Sequence, residues 1–496
     1  MNKKYVLAFD EGTTGTRTIL FDQGGNVVKS AYKEFAQIFP KPGWVEHDAE
    51  VIWDTQMETL RDVMQGIDPA QIAGLGITNQ RETCVVWDAA TGKPVYNALV
   101  WQDKRTSTVC EELKQRGLND YVQRSTGLII DSYFSGTKIR WILDHTPNGF
   151  ERARKGELKC GTIDSWLIWN LTAGKSHVVD YCNASRTLLF NIHSLDWDER
   201  MLTEIGVPRE MLPKPLPSSS IMGITNEKIL GVSIPVGGSI GDQQGALFGQ
   251  ACFEPGMVKA TYGTGGSLVV NLGQKPIVSQ NGMLTSVGWG MDGKVYYSLE
   301  GLLYVVGAAV QWLRDGLKVI ASSPESEDYA KQVNDTAGVY FVPAFTGMSA
   351  PYWDQFARGT IIGITRGTDR AHIIRAALES MAYQIRDVVE CMQKDSGLKI
   401  SEIKVDGGAC KNDFVMQFQA DLLGIPVLRP RVVEATARGA AFLAGLSTGF
   451  WKSTAELQNS FELDRRFEPA MAAGRREELY DGWKRAVQRS LNWEKA

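Results

Sequence analysis

Two short runs that favour β-structure, separated by a small polar turn, open the chain. The runs cover residues 6–9 and 18–21. The segment between them contains Gly12, Thr13, Thr14, Gly15 and Thr16. Glycine lets a backbone approach a ligand closely, and threonine adds hydroxyl donors. The pattern therefore predicts a β-hairpin whose turn suits phosphate, and the alternative is an ordinary hairpin with a polar tip.

A second copy of this pattern lies roughly half a chain further on. Residues 257–271 again place an apolar run on each side of a turn, here Gly263-Thr264-Gly265-Gly266. The repeat predicts two related domains facing one nucleotide. Asp10 ends the first strand, where a bare carboxylate would repel phosphate, so we expect a Mg²⁺ ion between them. Arg17 adds a guanidinium that matches phosphate geometry.

The remaining pattern alternates strands with helices, which indicates an α/β protein. Apolar spacing or small-residue content predicts helices over residues 49–64, 301–313, 370–394 and 434–446. Short apolar runs predict strands over residues 72–78, 98–101 and 403–406, and residues 161–171 suit either a strand or a helix. Residue Gly397 supplies the stop expected after the longest helix.

Several polar and aromatic residues follow these strands or begin the next helices. They are Arg81, Glu82, Trp101, Tyr133, Asp242 and Gln243. Arg81 and Glu82 would offer a donor and an acceptor to a small polyol, with Trp101 and Tyr133 as walls. Asp242 begins a small-residue helix and could accept the proton of an alcohol. The plainer alternatives are polar loop edges, one packed indole and an acid at a helix N-terminus.

Length and composition set further bounds. The 496 residues suit two domains, expected at 1–250 and 251–496, and the net charge is −4. No basic stripe indicates a nucleic-acid partner, and no apolar segment is long enough to predict membrane insertion. The seven cysteines are scattered without a CxxC pair, which fits a reducing cytoplasm and argues against a disulfide framework or zinc site.

Longer sequence motifs occur along essentially the whole chain. They include DEGTTGTR (10–17), PKPGWVEHD (40–48), GITNQRET (76–83), YFSGTKIRWILDH (133–145), GDQQGALFGQ (241–250), YGTGG (262–266), RGTIIGITRG (358–367) and VDGGACKN (405–412). By these motifs the chain resembles the FGGY family of carbohydrate kinases, in particular its members that phosphorylate glycerol. The resemblance implies two actin-like, ribonuclease H-like ATPase domains flanking a cleft for nucleotide and substrate.

The resemblance also implies roles for individual residues. Glycerol would be bound by Arg81, Glu82, Trp101, Tyr133, Asp242 and Gln243, with Asp242 as the general base. ATP would be bound by Thr13, Thr14, Gly15, Arg17, Thr264, Gly307, Gln311, Gly408 and Asn412. Asp10 would organise the Mg²⁺ shell. A homodimer or homotetramer is expected by the same resemblance.

Two departures from the family pattern change these expectations. The family usually has a Cys-Phe pair after the second phosphate turn, and its phenylalanine packs against glycerol, whereas this chain has Gly266-Ser267. The missing wall leaves room for a longer polyol, so a kinase for an erythritol-like polyol or a ketopentose is an alternative.

Residues 224–235 contain neither Arg nor His, which predicts no control by a sugar bisphosphate or by histidine phosphorylation there. A non-catalytic actin-like scaffold is the alternative from another class, although Asp10, Asp242 and both turns are present.

Overall fold

A computed structural model of the chain describes residues 3–431, 434–458 and 461–494. The strands, in chain order, are β1 (Tyr5–Glu11), β2 (Gly15–Phe21), β3 (Val27–Glu34), β4 (Glu46–His47), β5 (Ile72–Asn79), β6 (Cys84–Asp88), β7 (Ala98–Leu99), β8 (Leu158–Thr162), β9 (Val178–Asp180), β10 (Phe190–Asn191), β11 (Asp196–Trp197), β12 (Lys214–Leu216), β13 (Ser219–Ile224), β14 (Pro235–Gly241), β15 (Val258–Tyr262), β16 (Gly266–Gly273), β17 (Leu284–Met291), β18 (Lys294–Leu303), β19 (Tyr340–Val342), β20 (Thr360–Ile362), β21 (Ile403–Asp406), β22 (Val427–Pro430) and β23 (Leu463–Phe467).

The helices, in the same order, are α1 (Ala49–Met64), α2 (Ser107–Gln115), α3 (Asn119–Thr126), α4 (Ser135–Asp144), α5 (Gly149–Arg154), α6 (Ile163–Leu171), α7 (Tyr181–Ala184), α8 (Glu199–Ile205), α9 (Asp242–Gly249), α10 (Gly307–Gln311), α11 (Glu325–Ala330), α12 (Arg370–Ser396), α13 (Asp413–Leu423), α14 (Ala435–Ser447), α15 (Thr454–Gln458) and α16 (Ala473–Ser490). Short 3₁₀ or π turns connect some of these elements.

Two large sheets share one strand plan. The first has the order β13-β14-β5-β1-β2-β3, and the second has the order β17-β18-β16-β15-β21-β22-β23. In each sheet, two strands pair as an antiparallel hairpin. The first hairpin strand pairs with a parallel strand, which pairs with a second parallel strand. The second hairpin strand pairs with a further antiparallel strand. The structure thus confirms both predicted hairpins and the repeated plan. A smaller sheet, β4-β7-β6-β8, belongs to the first half of the chain.

Local sequence signals mark the ends of several helices that the apolar pattern predicts. Helix α1 covers the predicted residues, and Asp48 caps it by accepting hydrogen bonds from two backbone N–H groups. Helix α12 begins with an Asp369–His372 capping box and ends at Gly397, which has a φ of +67°. The 3.6-residue apolar spacing was sufficient to predict this helix, although residues 376–389 are buried on every side.

Two predicted elements differ from the structure. The helix expected over 301–313 is wrong, because the first part of this segment completes β18 and the α-helix starts only at residue 307. The ambiguous segment 161–171 divides between the end of β8 and α6. In both places a glycine-containing apolar run suits strand and helix equally, so pairing with neighbouring strands decides the outcome.

Helix α14 comes late in the sequence but packs against the first sheet. A Cβ atom added to Gly76 on β5 would lie 2.1 Å from the Ala440 carbonyl oxygen, and one added to Gly439 would lie 2.0 Å from the Gly245 carbonyl oxygen. Glycine therefore permits the close contact of α14 with both β5 and α9. The small residues predicted over 434–446 are structural, while a domain division at residue 250 stays a prediction.

Among the residues that the structure describes, none of the helices combines the length and the apolar character required to cross a membrane. The seven cysteines are free thiols, and all but Cys391 are buried.

Candidate active site

The first glycine-rich turn joins β1 to β2 and is held from several sides. Gly12 donates its backbone N–H to the Gly15 carbonyl oxygen at 3.0 Å, which closes the turn. Gln80 donates to the Gly12 carbonyl oxygen at 3.0 Å. The Trp101 indole donates to the Thr13 hydroxyl at 3.0 Å. The turn is therefore fixed before any ligand binds, and Trp101 joins it to the polar cluster described below.

Asp10 and Arg17 face each other across this hairpin. They are paired in the β-ladder, and Arg17 also forms an ion pair with Glu434 at the start of α14. Burial raises the pKa of Asp10 to about 7, although Arg17 opposes that rise. The described residues contain no group of three or more His, Cys, Asp or Glu side chains arranged to hold a metal ion. One partly buried carboxylate fits Mg²⁺ that arrives with a nucleotide, since Mg²⁺ uses one or two carboxylates together with phosphates and water.

The second turn adjoins the N-terminus of α10 and the end of β21. The backbone N–H of Gly307 donates to the Gly263 carbonyl oxygen at 2.9 Å, and that of Ala308 donates to Thr264 at 3.0 Å. Gly407 has a φ of +89°, and a Cβ atom there would lie 2.6 Å from the Tyr262 carbonyl oxygen. Three backbone segments therefore approach each other closely at this turn.

The other residues predicted to meet a nucleotide lie around this turn in different ways. Gly408 follows Gly407, and a Cβ atom placed there would meet nothing within 4 Å. Asn412 caps α13, because its side-chain oxygen accepts from the Val415 N–H at 3.0 Å. Gln311 lies at the end of α10 and is exposed.

Arg81 is the centre of the polar cluster that follows β5. Its guanidinium donates two hydrogen bonds to Glu300, at 2.7 and 2.9 Å, and one to Gln244 at 3.1 Å. Its Nε atom lies 3.1 Å from the nearest carboxylate oxygen of Asp242. Arg81 and Glu300 are both buried, whereas the Asp242 side chain is 34% exposed. Asp242 therefore faces open space while Arg81 lies behind it.

Glu82 is held by a second buried arginine. Arg186 donates from Nε to Glu82 at 2.5 Å and also lies 3.1 Å from Glu300. The Glu82 backbone has a φ of +62°, an uncommon value for a residue that is not glycine. Burial opposes ionisation of Glu300, but Arg81 and Arg186 outweigh it and hold the pKa of Glu300 at about 2. Two arginines and two glutamates thus balance each other in the interior.

Trp101 and Tyr133 form the aromatic side of the cluster. Their ring centroids are 5.6 Å apart in an edge-to-face arrangement. The buried Lys138 ammonium donates to the backbone carbonyl of Tyr133 at 2.9 Å and to that of Trp101 at 3.3 Å. Burial lowers the pKa of Lys138 to about 8. One lysine on α4 therefore holds the two loops that present both aromatic rings.

Asp242 and Gln243 begin α9, as the sequence predicts. The preceding residue, Gly241, makes no side-chain cap, and Asp242 accepts from the Gln243 N–H at 2.7 Å. Lys259, a buried lysine on β15, donates to the Gln243 side chain at 2.5 Å and to Thr261 at 2.8 Å. Because Asp242 also pairs with Arg81, it is more than a helix-end acid. The structure brings all six predicted polyol residues into one cluster.

The second turn reaches the same cluster from the other sheet. Ser267, the second residue of β16, donates to Glu300 at 3.3 Å. Glu300 in turn holds Arg81. The first turn reaches the cluster through Trp101 and Thr13. Both predicted phosphate turns are therefore joined to this one polar cluster.

Comparisons with known proteins agree with this geometry. Two domain models of the "FGGY family of carbohydrate kinases" match the chain. The N-terminal domain model matches residues 5–249, and the C-terminal domain model matches residues 258–448. The chain belongs to the FGGY family of carbohydrate kinases. The family resemblance and the expected α/β fold of two actin-like halves are thereby confirmed.

Individual relatives of this FGGY family member cover almost its whole length. Glycerol kinase 2 of Thermotoga maritima is 59% identical over 99% of this chain and 100% of its own. A glycerol kinase of Caldanaerobacter subterraneus is 58% identical over 99% of both chains. The crystal structure of Plasmodium falciparum glycerol kinase with ADP has a TM-score of 0.93 at 35% identity, covering 99% of both chains.

Sequence reasoning missed several residues of this FGGY kinase cluster. Glu300, Arg186, Lys138 and Lys259 received no role, although each is buried and contacts a predicted site residue. The available signal was a single charge inside an otherwise apolar run, as at Glu300 within residues 295–306. Such a charge must find a partner when the strand is buried.

Proposed function

We propose that the chain transfers the terminal phosphoryl group of ATP to a terminal hydroxyl of glycerol. The observation that carries this proposal is the position of Asp242. It stands at the start of α9, 3.1 Å from Arg81, in a cluster bordered by both glycine-rich turns. The relatives named glycerol kinase support glycerol as the substrate and ATP as the donor.

The polyol would be bound by complementary hydrogen bonds. Glu300 and Gln244 take three of the five Arg81 N–H groups. The Nε atom, which carries the fourth, lies 3.1 Å from an Asp242 oxygen, so one N–H group remains for a ligand oxygen. Glu82 and Gln243 add acceptors, and Trp101 and Tyr133 would contact the C–H faces. Asp242 would accept the proton of the attacking hydroxyl.

The nucleotide would be bound from both sheets. Thr13, Thr14, Gly15 and Arg17 would meet the phosphates from the first turn. Thr264, Gly307, Gln311, Gly408 and Asn412 would meet the nucleotide from the second half. Arg17 must exchange Glu434 for a phosphate, which keeps its charge paired in both states. The unobstructed space at Gly408 fits such a ligand.

Asp10 would hold Mg²⁺ bound to the phosphates, and that ion would supply positive charge for phosphoryl transfer. Phosphoryl transfer requires mainly in-line positioning and charge neutralisation. The chain's own contribution is therefore to place the hydroxyl beside Asp242 and to exclude water between the two halves.

Further expectations accompany this proposal. The domains would divide near residue 250, and the buried free cysteines fit a cytoplasmic protein. A symmetric homodimer or homotetramer is expected from the family.

The competing substrates are longer polyols and ketopentoses. Ser267 stands where the family's phenylalanine wall is expected, and it is buried against Glu300. A small hydroxyl at that position is the specific observation that favours the alternative.

A substrate panel tests the proposal directly. ADP release would be followed with glycerol, erythritol, a ketopentose and no acceptor, each with ATP and Mg²⁺. We expect glycerol to give the highest kcat/KM, at least about tenfold above the others, since a misplaced ligand hydroxyl that leaves one buried polar group unpaired has about that effect. Equal values for a four-carbon polyol would favour the alternative, and ADP release that ignores every acceptor would contradict the proposal.

A further inference from the structure

Glu300 contacts the polyol cluster from the opposite half of the molecule. It lies on β18 of the second sheet, within the segment matched by the family's C-terminal domain. Its partners, Arg81 and Arg186, lie in the segment matched by the N-terminal domain. All three side chains are buried. The ion pairs therefore cross between the halves in a place that water does not reach.

The geometry of the contact determines the orientation of Arg81. Both oxygens of Glu300 accept from different guanidinium nitrogens, so the planar group is fixed in rotation as well as in position. The remaining N–H group of Arg81 and the Nε–H that faces Asp242 can then point only in the directions that this pair leaves open. Without Glu300, the nearest carboxylates are Asp242 at 3.1 Å and Glu82 at 3.9 Å, both in the predicted polyol site.

The strand that carries Glu300 is also tied to the second glycine-rich turn. Leu303, at the end of β18, pairs with Gly266, the last residue of the turn and the first of β16. Val306 donates to the Thr264 carbonyl oxygen at 3.0 Å. A movement of the second turn must therefore move β18, and with it the carboxylate that holds Arg81. The Ser267 hydroxyl, 3.3 Å from Glu300, adds a further connection.

We propose that Glu300 is a positioning residue that reaches from the second half to orient Arg81, so that the polyol site is complete only when the two halves meet. This inference rests on the proposed function. Glu300 does not touch the reacting atoms, and it acts through Arg81. Its loss should weaken polyol binding much more than nucleotide binding.

The test compares three variants of the full chain with the wild type. Glu300→Gln removes the charge, and Glu300→Asp keeps the charge but withdraws the carboxylate by one methylene. Glu402→Gln is the matched control, because Glu402 is in the same half and its pair with Arg466 at 3.3 Å is partly exposed. Calorimetry would measure the Kd of glycerol with and without ADP, and the Kd of ADP alone. Initial rates would give KM and kcat.

For Glu300→Gln we expect the glycerol Kd and KM to rise on the order of 10- to 100-fold, the effect of one charge-assisted hydrogen bond. The ADP Kd should stay within about twofold, and Glu300→Asp should show a smaller rise of the same kind. In the wild type, ADP should tighten glycerol binding, and this coupling should shrink in both variants, because binding coupling is reciprocal and passes through the shared strand. Glu402→Gln should match the wild type.

Several results would overturn the role of Glu300. One is an unchanged glycerol Kd in folded Glu300→Gln, and another is an equal loss of ADP and glycerol affinity. If Glu300→Gln fails to fold because two buried arginines lose a partner, Glu300→Asp decides, and an unchanged KM there overturns the inference. A wild type that neither binds nor phosphorylates any polyol would instead overturn the proposed function, on which this inference rests.

Discussion

Replacing Asp242 with asparagine separates the chemistry of the site from its structure. The asparagine side chain would keep the shape of the original one and an oxygen near Arg81, but it could not accept a proton. General-base catalysis contributes about 10²- to 10⁴-fold to rate. We therefore expect kcat to fall by about that factor, which corresponds to about 3–5 kcal/mol of transition-state free energy.

The same substitution should have little effect on folding. The Asp242 side chain is 34% exposed, so solvent screens its pair with Arg81. Arg81 also keeps its two hydrogen bonds to Glu300. The free energy of unfolding should therefore change by no more than about 1 kcal/mol. The ADP Kd should also stay unchanged, because Asp242 belongs to the polyol cluster.

A matched control exists on the surface of the first half. Asp144 lies 3.1 Å from the Nε atom of Arg140, the same pair of groups at the same distance. Asp144→Asn should leave kcat unchanged. Coupled ADP-release rates, ADP calorimetry and denaturant unfolding would be measured for both variants. A kcat for Asp242→Asn within about tenfold of the wild type, or an equal fall in nucleotide affinity, would refute the role of Asp242 as the base.

Three further predictions concern specificity, packing and pH. Ser267→Phe should narrow the substrate range, because the phenyl ring restores the apolar wall. The ratio of kcat/KM for glycerol to that for erythritol should rise by about 10-fold or more. An unchanged ratio would show that this position does not determine specificity. Gly439→Ala should lower the free energy of unfolding, measured by denaturant titration, by about 1–3 kcal/mol, because the added Cβ would meet the α9 backbone. Gly474→Ala on α16 is the control, and it should be neutral or stabilising because the added Cβ would meet nothing within 4 Å. Burial raises the pKa of Asp387 from 3.8 to about 6. The native state therefore binds this proton more tightly than the unfolded state does. The free energy of unfolding of the wild type, relative to that of Asp387→Asn, should fall by about 1–3 kcal/mol as pH rises from about 4 to 6. A difference in unfolding free energy that does not change with pH would contradict this.

Local sequence signals account for the parts of the fold that are decided locally. The two glycine-rich hairpins, helix α1 and helix α12 follow from apolar spacing and end signals such as Asp48 and Gly397. The polar residues that follow β5 and begin α9 could be named as candidates from the sequence. The structure brings them together because β5 and β14 are parallel neighbours that end at the same edge of the sheet.

Features that depend on distant pairing could not be predicted in this way. Residues 301–303 complete β18 because β16 and β17 pair with that strand, a contact that the apolar run itself does not encode. Helix α14 returns to the first sheet from late in the sequence, guided by the small surfaces of Gly76 and Gly439. Glu300 acquires its role only from Arg81, more than 200 residues away. The residues proposed to bind the polyol were therefore easier to find from the sequence than the buried charges that contact them.

The product formed from glycerol tests the central claim most directly. The chain would be incubated with ATP, Mg²⁺ and glycerol labelled with ¹³C at its terminal carbons, and the mixture would be followed by ³¹P and ¹³C NMR. The account predicts one phosphomonoester on a terminal carbon, formed in step with ADP and formed far more slowly by Asp242→Asn. Phosphate on the central carbon, or inorganic phosphate as the only product, would contradict it.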